Sequence, residues 1–322
     1  MTTSKRLNDD STHRFAWDGF SFQTPQDWNL SEYLIQREAS WVRMEDDNAI
    51  RLEMEWTRSR RPLDMERIQK RFTAVSKSLM AEDAETQRVP DLPEAWSAFL
   101  YSMPDGRRLL AAFRFVPGSD FFCFFKLHFE GVSLREPPRI IRLIASTFQL
   151  HAQNVIPWEF FNIALQLNRE FRLLATSFQA GRQLMIFEWR RRKLHLWFFS
   201  LADLMLRDKS MEAWCIDFLG GFKGIPGAQF EAGDQRGVIL ARRRRRYLLG
   251  HSEEIARWCF RYQAHCVHLA AKNQVALWVV QYRTDADLDR LMLNVGPFAM
   301  NTEPEFNKRP GNSGMGDPKT IE

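Results

Sequence analysis

A chain of 322 residues with 45% hydrophobic and 26% charged side chains has the apolar content for one large core or two medium ones, which excludes a low-complexity class except at the ends. The net charge of +5 is unevenly spread: residues 1–155 hold 21 basic and 22 acidic side chains, and residues 156–298 hold 21 basic against 14 acidic. The positive field therefore belongs to the second half.

Residues 1–14 are polar and charged, lack the apolar stretch of a secretory leader, and are expected to be disordered. No run approaches the ~18 apolar residues of a membrane span, so no membrane partner is expected. The four cysteines, Cys123, Cys215, Cys259 and Cys266, show no framework spacing, which points to reduced thiols and a cytoplasmic location.

Two units of one α+β pattern are predicted, over 15–150 and 156–297. In the first, Phe20-Ser-Phe22 and Trp28-Asn-Leu30 flank a turn at Pro25-Gln-Asp27 and read as strands. A hairpin follows, Trp41–Met44 and Ile50–Trp56. Ile50, Leu52, Met54 and Trp56 alternate with Arg51, Glu53 and Glu55, the period of a half-buried strand. Pro62 and Asp64 open a helix whose apolar stripe is Ile68, Phe72, Val75 and Leu79. A meander of Trp96–Met103, Leu109–Val116 and Phe121–Phe129 then turns at Pro104–Gly106 and Pro117–Asp120. Pro137-Pro138 opens a closing helix with Ile140, Ile141, Ile144 and Phe148 inward.

The second unit repeats the order. Phe161-Asn-Ile163 and Phe171-Arg-Leu173 take the opening places, and Leu184–Trp189 with Leu194–Phe199 form the hairpin. A helix over 201–219 stops at Gly220-Gly221. Strands are predicted at Val238–Ala241, Cys266–Ala271 and Val275–Tyr282, and a closing helix starts at Thr284–Asp287 with Leu288, Leu291, Met292 and Val295 apolar. The tail, 298–322, is polar and rich in Pro and Gly, and reads as disordered.

This element order, with its F-x-F…W-x-L opening at Phe20-Ser-Phe22 and Trp28-Asn-Leu30, resembles the PsbP/Mog1-like fold in both units. The resemblance implies an α+β architecture, mostly antiparallel sheets flanked by helices, and a binding module often without catalysis. It carries no functional residue over.

The units differ where the first makes the turn Pro104–Gly106. There the second inserts residues 242–263: Arg242, Arg243, Arg244, Arg245 and Arg246, then Tyr247–His251 and a helix capped by Ser252 over Glu253–Tyr262. Five successive arginines cannot all be covered, because burying an unpaired row costs several kcal/mol per ion. A second run, Arg190, Arg191, Arg192 and Lys193, falls in the hairpin turn of the same unit. Both runs suit an acidic protein or a nucleic-acid backbone, since guanidinium forks match carboxylates and phosphates alike.

Other chemistry finds little support. His251, Cys259, His265, Cys266 and His268 are metal-ligand types but lack the close pairs of a structural zinc site. They leave a small-ligand or metal module as the alternative reading, with no metal or cofactor expected. Gly220–Gly227 lacks the G-x4-G-K-[ST] order of a phosphate cradle. The acidic turn Glu45-Asp46-Asp47 suits a hard cation or plain solvation. No nucleophile–base motif is present, so no catalytic residue is assigned and a non-enzymatic adaptor is expected.

Overall fold

The computed structural model describes residues 11–35, 40–58, 66, 70, 73, 84–129, 136–222, 228–232, 238–243 and 261–295, with the backbone alone at 228–232 and 238–243. The chain divides into two compact units, Met1–Ile163 and Ala164–Glu322.

In the first unit β1 (Thr12–Trp17) and β2 (Phe20–Pro25) form a hairpin, Trp17 opposite Phe20, around Asp18 and Gly19. Both turn residues have positive φ, 44° and 83°. A Cβ at Gly19 would lie 2.9 Å from an Arg58 guanidinium nitrogen, so glycine serves both the turn and the close approach.

A seven-stranded antiparallel sheet follows in the order β3-β4-β5-β9-β8-β7-β6. Its strands are β3 (Asn29–Leu34), β4 (Ser40–Glu45), β5 (Ile50–Arg58), β6 (Glu85–Arg88), β7 (Trp96–Ser102), β8 (Arg108–Phe115) and β9 (Phe121–Phe129). The alternation read at Ile50–Trp56 is realised from Leu52 on: Leu52, Met54 and Trp56 are buried, and Arg51, Glu53 and Glu55 are half-buried on the other face.

Helix α1 (Pro137–Thr147) closes the unit with Ile140, Ile141 and Ile144 buried. Short β10 (Gln149–Leu150) then pairs with β2, and β11 (Val155–Phe160) with β1. The β1–β2 ribbon covers the sheet with aromatic rings: Phe20 meets Trp56 at 5.0 Å and Phe22 meets Phe125 at 5.7 Å. Phe148, just past α1, touches Phe20, Phe22, Trp96, Phe121 and Phe125. Such offset and edge-on ring pairs add about 0.5–1.5 kcal/mol each beyond the area they bury.

The second unit begins within β12 (Ile163–Asn168) and holds a second seven-stranded antiparallel sheet, β13-β14-β15-β19-β18-β17-β16. Its strands are β13 (Arg172–Gln179), β14 (Arg182–Trp189), β15 (Arg192–Ser200), β16 (Ala228–Ala232), β17 (Val238–Arg243), β18 (Arg261–Leu269) and β19 (Gln274–Tyr282). In chain order, the two seven-stranded sheets have the same connectivity. Helices α2 (Ala202–Met205) and α3 (Met211–Gly221) follow β15, and α3 packs Cys215 and Leu219 against Trp197, Phe199, Val275 and Leu277. After β19 come α4 (Asp285–Arg290) and β20 (Leu293–Val295), which pairs with β12.

These findings overturn the α+β expectation. Strands dominate, the described helices are short, and in the first unit aromatic residues on other strands cover the sheet that helices were expected to flank. Three local elements differ from expectation, two of them helices. The helix read over 201–219 breaks into two pieces because Ser210 accepts the Ala213 N–H and starts a new N-terminus. The closing helix ends at Arg290, and Leu293–Val295 pair as a strand instead. Phe161, read as strand, sits in the β11–β12 turn with φ of 48°.

The predicted stripe Ile68, Phe72, Val75 and Leu79 lies outside the described residues, although Glu66, Lys70 and Thr73 are helical and exposed. The residues of the predicted tail also lie outside. Among the described residues no helix is long and apolar enough to cross a membrane.

Candidate basic interface

The arginine turn is built by a two-residue hairpin. Trp189 pairs with Arg192, leaving Arg190 and Arg191 as its central pair with φ of 45° and 67°. Two successive positive φ angles match the twist of a tight hairpin but are conformations that Asn and Gly favour. Arg190 and Arg191 are exposed, and the Arg190 guanidinium lies 5.6 Å from the Trp189 ring.

Arg192 is committed inward. Its guanidinium stacks 4.9 Å from Trp189, and Nη2 lies 2.8 Å from Asp287 Oδ1, with the carboxylate buried. The other Asp287 oxygen accepts the N–H groups of Arg283 and Thr284 at 2.9 and 3.1 Å. Burial opposes the charge on Asp287, but Arg192 and the two N–H donors prevail and hold it down to about 2.

Strand register answers where the second arginine run lies. Leu194 pairs with Val280, Gln263 with Val280, and Leu240 with Gln263. Two residues further out along each strand come Arg192, Tyr282, Arg261 and Arg242; of these Tyr282 is opposite Arg261, and Arg242 is opposite Gln229. The turn at Arg190–Arg191 and the Arg242–Arg243 end of β17 thus lie at one end of one sheet. Three strand spacings separate β15 from β17, about 14 Å. Arg244, Arg245 and Arg246 lie outside the described residues, as do His251, Cys259 and most of the predicted helix Glu253–Tyr262. Its last two residues, Arg261 and Tyr262, are strand.

Arg261, which that helix reading missed, is at the same end of the sheet and lies 3.4 Å from Asp285. Both side chains are more than half exposed, so solvent weakens the pair. Nothing in the local sequence marked Arg261, since its importance comes from register alone.

The other candidate groups serve the fold. His265 stacks on Trp278 at 5.5 Å, whereas its neighbour Cys266 points into the core beside Cys215. Among the described residues no group of three His, Cys, Asp or Glu side chains could hold a metal. Cys123, Cys215 and Cys266 are buried and form no disulfide. Asp46 spends one oxygen on the Asn48 and Ala49 N–H groups and the other on Arg51 at 2.6 Å, locking the β4–β5 turn. Ser21 Oγ lies 2.9 Å from His151 Nε2 and 3.1 Å from Arg14 Nη2. That Ser–His pair has nucleophile–base geometry, yet Ser21 is 1% exposed, and the cluster ties β1 and β2 to the residue after β10.

No protein-family model matches the chain, and no curated protein matches it.

Proposed function

We propose that the chain is a non-enzymatic interaction protein whose second unit docks an acidic protein segment. The observation that carries this reading is the strand register that brings the Arg242–Arg243 end of β17, Arg261 and the Arg190–Arg191 turn to one end of the same sheet. Basic residues on strand ends spread over about 14 Å of backbone suit several carboxylates presented in sequence.

Carboxylates are favoured over a single-stranded nucleic acid by the state of the aromatic rings. Single strands are held by bases stacking on exposed rings. Here Trp189 is 7% exposed between two guanidinium groups, and Tyr282 is buried.

Binding of labelled poly-glutamate to the full chain tests the reading. Wild type is expected to bind with an affinity that falls steeply with salt, and either Arg190→Glu/Arg191→Glu or Arg242→Glu/Arg243→Glu is expected to weaken it about tenfold or more. Absence of binding, or salt-insensitive binding unchanged in both variants, overturns it. Tighter binding to single-stranded RNA than to poly-glutamate overturns the choice of a protein partner.

A further inference from the structure

The first unit carries an open groove of about 570 Å³ where the end of β6 and the Val89–Pro90 segment meet the first turns of α1. Three arginines line it, Arg88, Arg139 and Arg142, and Leu100 and Pro138 supply apolar wall. A smaller cavity of about 360 Å³ adjoins it across Arg88–Pro90 and reaches Trp96. We infer that this groove binds a small organic anion, with a phosphate or carboxylate head at the arginines and an apolar body along the wall.

Arg139 and Arg142 are three residues apart on α1 and so share a helix face. Arg142 Nη2 donates to the Pro90 carbonyl at 3.4 Å and lies 3.9 Å from Asp91, whose carboxylate is 86% exposed. That ion pair is long and water-screened, so an incoming anion displaces it at little cost. Arg142 Nε is itself buried, so the part of its guanidinium that an anion can meet is the terminal nitrogens. Arg88 is exposed at the end of the edge strand β6 and lines the same groove.

The helix end itself adds little. Pro137 and Pro138 have no N–H to offer, so recognition falls to side chains. Glu136 lines the same groove and repels a second negative charge, which favours one compact anionic head over a polyanion. The volume is within the usual range for a small-molecule site, which combines apolar lining with a few convergent polar groups.

The test uses phenyl phosphate and inorganic phosphate as probes, titrated into the full chain by calorimetry. Phenyl phosphate is expected to bind at least about tenfold more tightly than inorganic phosphate, because burying the ring adds to the head-group contacts. Arg88→Gln/Arg139→Gln is expected to cut that affinity about tenfold or more, and Arg190→Glu/Arg191→Glu to leave it unchanged. This double variant avoids Arg142, which also holds Pro90, and its thermal unfolding is compared with wild type. No saturable binding, equal affinity for the two probes, or full affinity in the folded Arg88→Gln/Arg139→Gln variant overturns the inference.

Discussion

Arg192 and Asp287 meet at 2.8 Å at the end of the second sheet, where a carboxylate that caps α4 also fixes one arginine of the basic turn. The pair divides the arginine run into one residue used by the fold and two exposed to solvent.

Removing Asp287 should therefore be costly. Asp287→Ala strips two backbone N–H groups of their acceptor and leaves the Arg192 charge uncompensated, with an expected loss of about 2–4 kcal/mol. Arg191→Ala, on an exposed turn, should change stability by less than about 0.5 kcal/mol. Urea unfolding of both variants checks the contrast, and equal midpoints would show that the pair is not structural.

The turn itself carries strain. Replacing Arg190-Arg191 by Asn-Gly, the pair that positive φ angles favour, should raise stability by about 1 kcal/mol. The same change should weaken poly-glutamate binding, because both exposed guanidinium groups are lost. A variant that is more stable and binds as well as wild type would remove these two arginines from the interface.

Acid should weaken the fold in two steps. His195 lies against Trp197 and Phe222, and His265 against Trp278. Burial, helped at His195 by Lys193, pushes both down to about 4 from 6.5. Between those values the unfolded chain takes up protons that the native chain refuses, so stability falls as pH drops from 6.5 to 4, by roughly 2 kcal/mol for each histidine. Glu53 acts in a lower window. The hydrogen bond from His128 holds it at about 2, so its contribution is present above 4.5 and is lost as pH falls through 2. Unfolding midpoints at pH 7, 5.5 and 4.5 should show the first step. His195→Gln/His265→Gln should flatten it, and an unchanged slope in that variant would refute the assignment.

Thiol chemistry offers a further check. Burial raises the Cys123 thiol well above its ordinary value, and hydrogen bonding to Cys266, reinforced by burial, does the same at Cys215. In a Cys259→Ser background the native protein should resist a disulfide-exchange reagent and titrate all three remaining thiols only when unfolded. Rapid labelling in the native state would contradict the burial.

Much of the strand content was legible because period-2 alternation has few other causes. The Ile50–Trp56 run and the Trp96–Phe129 meander appear within a residue or two of where alternation put them. Several strands were not read, among them Glu85–Arg88, which is exposed throughout, and Thr12–Trp17, which opens on polar residues. The class failed because spacings of three and four fit more than one structure. Leu291, Met292 and Val295 looked like a helix stripe, yet Val295 pairs with Leu165. The basic turn was visible as a run of arginines, whereas its alignment with Arg261 and Arg242 depends on pairings that a linear pattern does not contain.

The shared strand order has a consequence for how the chain reaches its native state. In both sheets the third strand pairs with the last: Arg58 is opposite Phe121, and Ser200 is opposite Gln274. The outer hairpins and meanders join neighbours in sequence and can form in microseconds, but each central seam waits for a long loop to close. Refolding should therefore be slow for each unit, on the order of milliseconds to seconds, with β5, β9, β15 and β19 as sticky edges until the seams close. Chaperone dependence and loss to aggregates during expression should follow substitutions along those four strands more than substitutions in the arginine turn.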